Sequence, residues 1–245
     1  MKKIYFLLLA TILIASCKPG SKTNNRSEGK QVITVTLEPL RYLTEAIAGD
    51  RFTVVSMVPK GTSPETYDPT PQQLVELARS KAYFRIGYIG FEQTWTDKLT
   101  DNAPHLQFFD MSQGVDLIYD NTHVHHHAAN EKEHQHAIGV EPHIWNSAVN
   151  AQIIAGNILS ALRNIDKGNE DFYLERYNTL CRKIEHTDSL IRQTLATPGA
   201  DHAFMIYHPA LSYFARDYGL HQIPIEAGGK EPSPAHLKAC LLYTS

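Results

Sequence analysis

The chain has 245 residues, 42% of them hydrophobic, and a formal net charge of -3. That balance leaves no basic footprint for nucleic acid. The three cysteines, Cys17, Cys181 and Cys240, supply no disulfide framework.

At the N-terminus Lys2 and Lys3 precede an apolar run from Ile4 to Ala15, followed by Ser16-Cys17. A charged start and a short apolar core read as a secretory signal, too short for a membrane span. Ile14-Ala15-Ser16-Cys17 also resembles a bacterial lipobox, in which the cysteine becomes the lipidated first residue of the mature protein. The expectation is a lipoprotein signal peptide over 1–16, lipidation at Cys17, and a flexible tether over 17–30. The tether is rich in Gly, Ser, Asn and Lys and has no apolar periodicity.

From Gln31 short β-rich runs alternate with helical patterns. Val32 to Leu37 reads as a strand, and Leu40, Leu43 and Ile47 mark a helical face closed by Gly49. Phe52 to Val58 is a second strand. Thr70-Pro71-Gln72-Gln73 opens a helix with an N-cap, a first-turn proline and a capping-box glutamine, and Leu74, Leu77 and Ala78 continue its face. Ala82 to Ile86 is a third strand, Glu92 to Leu99 a helix and Leu106 to Phe109 a fourth strand. Alternation at this spacing predicts a parallel sheet covered by helices.

The middle of the chain carries a histidine-rich stretch over 120–137, with His123, His125, His126, His127, His134 and His136 among Asn, Ala, Glu and Lys. With so few apolar groups it cannot offset its own ordering entropy, so it reads as a mobile polar loop. Neutral imidazole is the commonest side-chain ligand for Zn, Cu and Ni, so the composition is a metal-binding one.

Beyond it, Asn146 is placed to cap a helix through about Arg163. A second helix runs from near Asn169 to Leu195, with Tyr173, Tyr177, Leu180, Ile184, Thr187, Ile191 and Leu195 three or four apart. That is about seven turns, or ~40 Å at the usual rise. Strand-like text resumes behind it: Ala203 to Tyr207 a strand, Pro209 to Tyr218 a helix with Leu211, Phe214 and Tyr218 inward, Ile223 to Ile225 a strand, and Ser233-Pro234 a further helix start. The expected fold is therefore α/β in two lobes, each a parallel sheet flanked by helices, joined by one long rigid helix. The first lobe occupies 31–168, the linking helix 169–196, and the start of a second lobe, cut short, 197–239. Residues 240–245, Cys240 to Ser245, match what the transposon mosaic-end adapter of sequencing libraries encodes in one frame. They read as adapter read-through, with the natural chain continuing differently.

Three motifs bracket the histidine-rich loop in order. Gly61-Thr62-Ser63-Pro64-Glu65-Thr66-Tyr67-Asp68-Pro69-Thr70-Pro71 follows the second strand, Glu141-Pro142-His143-Ile144-Trp145-Asn146 follows the loop, and Tyr207-His208-Pro209-Ala210 follows the first strand of the second lobe. With Ile47 to Asp50 and Glu231-Pro232-Ser233, they resemble the cluster A-I zinc and manganese solute-binding proteins of ABC importers, and most of all the ZnuA-type zinc branch. The resemblance spans roughly Val32 to Leu237. It implies metal held in the cleft between two lobes, with His143 and His208 as ligands, one from each lobe. Glu65 stands where the zinc proteins usually carry histidine. A carboxylate is an acceptable zinc ligand, although it hardens the site toward Mn2+. The family's last ligand, an acidic residue late in the second lobe, falls beyond this text, and neither Glu226 nor Glu231 is promoted to ligand.

The implied function is capture of Zn2+, with Mn2+ as the alternative, and delivery to an ABC permease by a monomeric receptor that is lipid-anchored in the cell envelope. Binding needs deprotonated imidazoles, so affinity is expected to fall as pH drops toward and below ~6.5, the ordinary histidine value. The histidine-rich loop would be an accessory collecting surface or a sensor of zinc abundance. No catalytic residue is expected. A zinc hydrolase needs an open coordination position and a general base, and the chain has neither His-Glu-x-x-His nor Gly-x-Ser-x-Gly. A metal-binding adhesin or zinc-storage lipoprotein is the competing reading; a gene neighbourhood with a permease and ATPase would separate the two.

Overall fold

The computed structural model describes residues 30–64, 66–119, 139–226, 232–235 and 237–238. Its first lobe is built on a four-stranded parallel sheet in the order β2-β1-β3-β4. The strands are β1 (Val32–Val35), β2 (Thr53–Ser56), β3 (Ala82–Arg85) and β4 (Gln107–Asp110). Ile33 stands opposite Val54 on one side and Ala82 on the other, so β1 is central. Its Ile33, Thr34 and Val35 are all buried, as expected for a parallel strand covered on both faces.

Helix α1 (Glu38–Ala48) has proline in its first turn and buries Leu40, Leu43, Thr44, Ile47 and Ala48. It stops at Gly49, whose φ of 60° favours glycine. A Cβ there would stand 2.8 Å from the Phe172 ring and 3.0 Å from Arg176 Nε, so the same residue lets a later helix come close. Helix α2 (Pro71–Ala78) carries the expected capping box. The Gln73 amide donates to Thr70 Oγ1 at 3.3 Å, and the Thr70 amide to Gln73 Oε1 at 3.0 Å. Gln73 Nε2 also donates to the Met57 carbonyl at 3.0 Å, pinning the helix start to the end of β2. Thr70→Ala should therefore cost about 1 kcal/mol, read as a lower midpoint in denaturant unfolding; an unchanged midpoint would show that the cap contributes nothing.

Helix α3 (Gly90–Asn102) follows β3, and α4 (Ala148–Ile165) begins one residue later than the sequence reading places it. Ser147, not Asn146, is the N-cap: its Oγ accepts from the Asn150 amide at 3.0 Å. The Asn146 amide group instead donates to the Ala210 carbonyl at 2.8 Å, in the second lobe. Two adjacent polar residues were equally eligible for the cap, and a tertiary partner took one of them. A short 3-10 turn (Lys167–Asn169) leads into α5 (Glu170–Leu195), 26 residues and about 39 Å long. Its N-terminal half packs on α1 and α4 through Tyr173 and Leu180, so the linking helix is rooted in the first lobe's core.

The second lobe contributes a smaller parallel pair, β5 (Ala203–Ile206) and β6 (His221–Pro224), with α6 (Ser212–Tyr218) between them. The expected face of α6 needs correction. Tyr213 and Ala215 are buried, whereas Leu211, Phe214 and Tyr218 are only half-buried. The helix is turned so that Tyr213 enters the first lobe, while Phe214 and Tyr218 stack on each other at 4.7 Å. The Tyr218 hydroxyl donates to Asp188 Oδ1 on α5 at 2.7 Å, and Arg192 holds the same carboxylate at 2.9 Å. The Arg192 guanidinium and the Tyr218 hydroxyl together keep Asp188 below the usual carboxylate range. Among the described residues no helix is long and apolar enough to cross a membrane.

Candidate metal centre between the lobes

Parallel sheets gather ligands past the carboxyl ends of their strands. His208 lies two residues beyond β5 and Glu226 two residues beyond β6. The strand register continues past both, with the Ile225 amide on the Ile206 carbonyl at 2.8 Å and the Glu226 amide on the Tyr207 carbonyl at 2.9 Å. This pairing sets Glu226 beside His208, and its Oε2 is 3.3 Å from His208 Nδ1.

His143 comes from the first lobe, on the turn that leads into α4. Ile144 is fully buried and the Asn150 side chain holds its carbonyl at 3.0 Å, which fixes the turn. The His143 ring is itself 5% exposed. Glu141 bends back over Pro142, so that one oxygen, Oε1, takes the His143 amide at 3.0 Å and also contacts ring Nδ1. Trp145 packs edge-on to the ring at 5.2 Å.

The two imidazoles then meet. Their rings are 5.1 Å apart at 72°, and the two Nε2 atoms are 3.4 Å apart. Each ring thus has Nδ1 against a carboxylate of its own lobe and Nε2 toward the other lobe. A carboxylate on one ring nitrogen holds the proton there and makes the other the better donor to a metal. Two nitrogens bound to tetrahedral zinc at ~2.0–2.1 Å stand roughly 3.3–3.4 Å apart, which is the spacing observed. Among the described residues no group of three or more His, Cys, Asp or Glu side chains is disposed to hold a metal ion. What the described residues offer is this oriented pair. Glu65, the six loop histidines (His123, His125, His126, His127, His134, His136), Cys17 and Glu231 lie outside the described residues.

Sequence reasoning quoted Glu141 in a motif without giving it a task, and it set Glu226 aside. The signal for Glu141 was local: an acid two residues before histidine, with proline between, can fold back on the ring. Glu226 had no local signal, because its neighbour is 18 positions away. A third carboxylate was also overlooked. Glu92, on the first turn of α3, is buried at the same carboxyl-end edge of the first sheet. It accepts from the amides of Ile86 at 2.9 Å and Gly87 at 2.6 Å and from the Thr36 hydroxyl, which Tyr83 also contacts at 2.8 Å. Burial raises its pKa, against the pull of those donors.

Two α/β lobes, a long helix between them and a pair of facing imidazoles at their junction describe the architecture of a bilobal solute-binding protein. The family model described as "ZnuA: Zinc-uptake complex component A periplasmic" matches residues 33–241. The high-affinity zinc uptake system protein ZnuA of Bacillus subtilis is 26% identical over 256 aligned positions, covering 98% of this chain and 76% of that protein. The manganese ABC transporter substrate-binding lipoprotein PsaA of Streptococcus mitis is 28% identical over 230, covering 90% of this chain and 70% of that one. A crystal structure of ZnuA superposes with a TM-score of 0.76 at 34% identity, covering 87% of this chain and 77% of that one. The chain belongs to the ZnuA/PsaA family of metal solute-binding proteins of ABC transporters. The family is non-catalytic, and its members reside in the cell envelope, lipid-anchored or periplasmic.

Proposed function

We propose that this protein captures Zn2+ in the cleft between its lobes and hands it to the permease of an ABC importer, tethered to the membrane by a lipid on Cys17. The observation that carries the reading is the pair of imidazoles, one from each lobe, whose Nε2 atoms are 3.4 Å apart while both Nδ1 atoms face carboxylates. Neutral imidazole suits zinc, and a ligand from each lobe lets the ion bridge them. Glu65 is the third ligand in this reading, and the histidine-rich loop collects metal nearby without forming the tight site. Mn2+ is the alternative cargo, supported by the carboxylate at Glu65 and by the likeness to a manganese lipoprotein.

Competition binding of Zn2+ and Mn2+ to the full chain tests this. One tight equivalent of Zn2+ is expected, preferred over Mn2+; no tight equivalent of Zn2+ would sink the reading. Glu65→His exchanges an oxygen donor for a softer nitrogen and should shift the preference further toward Zn2+. An unchanged ratio would remove Glu65 from the site while leaving the histidine pair in place.

A further inference from the structure

One side chain of the second lobe is buried against the first. Tyr213 follows His208 by five residues, and it is fully buried. Its hydroxyl donates to the Glu141 carbonyl at 2.8 Å and accepts from the Ile118 amide at 3.2 Å. Those two first-lobe residues are already paired, the Glu141 amide on the Ile118 carbonyl at 2.9 Å, with an antiparallel bridge between Tyr119 and Val140 beside them. The phenol therefore closes a short stem on which Glu141 sits, and Glu141 is the residue whose carboxylate holds both the amide and the ring of His143.

We propose that Tyr213 is a positioning residue of the metal site, setting from the second lobe where His143 stands relative to His208. The path is continuous: phenol to Glu141 backbone, Glu141 carboxylate to His143 Nδ1, His143 Nε2 to His208 Nε2. A second strut runs the other way, from the Asn146 side chain to the Ala210 carbonyl at 2.8 Å, and so reaches the segment between His208 and Tyr213. On the same helix Arg216 lies 5.1 Å over the Tyr213 ring and donates to the Asp116 carbonyl at 2.7 Å, next to the stem. Burial pushes the Tyr213 hydroxyl up to about 12, so it stays neutral and can both give and accept a hydrogen bond at physiological pH. A core tyrosine needs only packing and one partner; this one spans the lobes and meets the backbone of the residue that orients a ligand. Coordination tolerates displacements of only ~0.5 Å, so a strut of this kind bears directly on affinity.

The role rests on the zinc-capture reading above, and the test separates the two. Tyr213→Phe in the full chain keeps the ring and removes the hydroxyl. The expected result is a ~10-fold loss of Zn2+ affinity in chelator competition, the size seen when a ligand's hydrogen-bond support is removed. Faster zinc release and a changed visible spectrum of the Co2+-loaded protein should accompany it. Thr179→Ala, which removes an exposed hydroxyl on α5, should leave affinity, release and spectrum as in wild type. If the phenylalanine variant does not fold, Asn146→Ala reads the other strut in the same assays with the same expectation. Wild-type affinity and Co2+ spectrum in the folded variant would overturn the proposal. His143→Ala and His208→Ala run alongside: if both bind zinc as wild type does, the zinc reading fails and the positioning role with it. If they lose tight binding and Tyr213→Phe does not, the positioning role alone is wrong.

Discussion

His143→Ala and His208→Ala should each weaken Zn2+ binding by more than the roughly 10–100-fold typical of losing a hydrogen-bond partner of a ligand. Each substitution removes a nitrogen donor itself. Each also strands a carboxylate: Glu141 loses the ring it holds, and Glu226 loses the Nδ1 at 3.3 Å. The double variant should lose less than the product of the two single losses. If the ion bridges the lobes as proposed, losing one lobe's imidazole leaves the other as an isolated donor. Chelator competition on the three variants measures this, with melting of the metal-free proteins as the control for folding. A single variant that binds Zn2+ as tightly as wild type would take that histidine out of the site. Strict additivity would mean that the two histidines act on separate ions.

Glu92→Ala should be strongly destabilising, at about 3–5 kcal/mol. The alanine takes the carboxylate acceptor from the Ile86 and Gly87 amides, while the Thr36 hydroxyl keeps the Phe84 carbonyl at 3.4 Å. Against a total stability of roughly 5–15 kcal/mol, that loss brings the fold near its limit. Glu92→Gln should lose less, because one oxygen still accepts, while its NH2 group faces donors. The pH dependence has a definite sign. Folding raises the Glu92 pKa above its ordinary value of 4.5, so the folded protein binds this proton more readily than the unfolded chain. The stability that Glu92 contributes is therefore full below 4.5 and declines as pH rises through the raised folded value. Denaturant titrations of wild type and Glu92→Gln across that range should show the gap between them narrowing with rising pH. A gap that widens would mean that the donors outweigh burial and that Glu92 ionises more easily when folded.

Much of the fold was legible in the chain because its signals are local. A β-branched run in Val32 to Val35, a period of three to four in Leu40, Leu43 and Ile47, and the Thr70/Gln73 box each complete themselves within a few residues. The long helix was legible for the same reason, as a repeat sustained over 26 residues. The sequence also placed His143 at a helix entry and His208 at a strand exit, where ligands can be presented.

What the sequence by itself determined, then, was the order of strands and helices and the Thr70/Gln73 cap of α2. Which polar groups meet was decided only in three dimensions. Ser147 displaced Asn146 as the cap because Asn146 found a carbonyl 64 positions away. Glu226 reached His208 because β5 and β6 pair in parallel, and Tyr213 turned inward because Ile118 offered it a donor 95 positions away and Glu141 an acceptor 72 positions away. Glu92 became a buried acceptor because Thr36, 56 positions earlier, directly follows the neighbouring strand β1. The physical reason is common to all four. A buried hydrogen bond needs both partners removed from water at a fixed distance, and strand register and helix packing set that distance between residues that no local window of sequence contains.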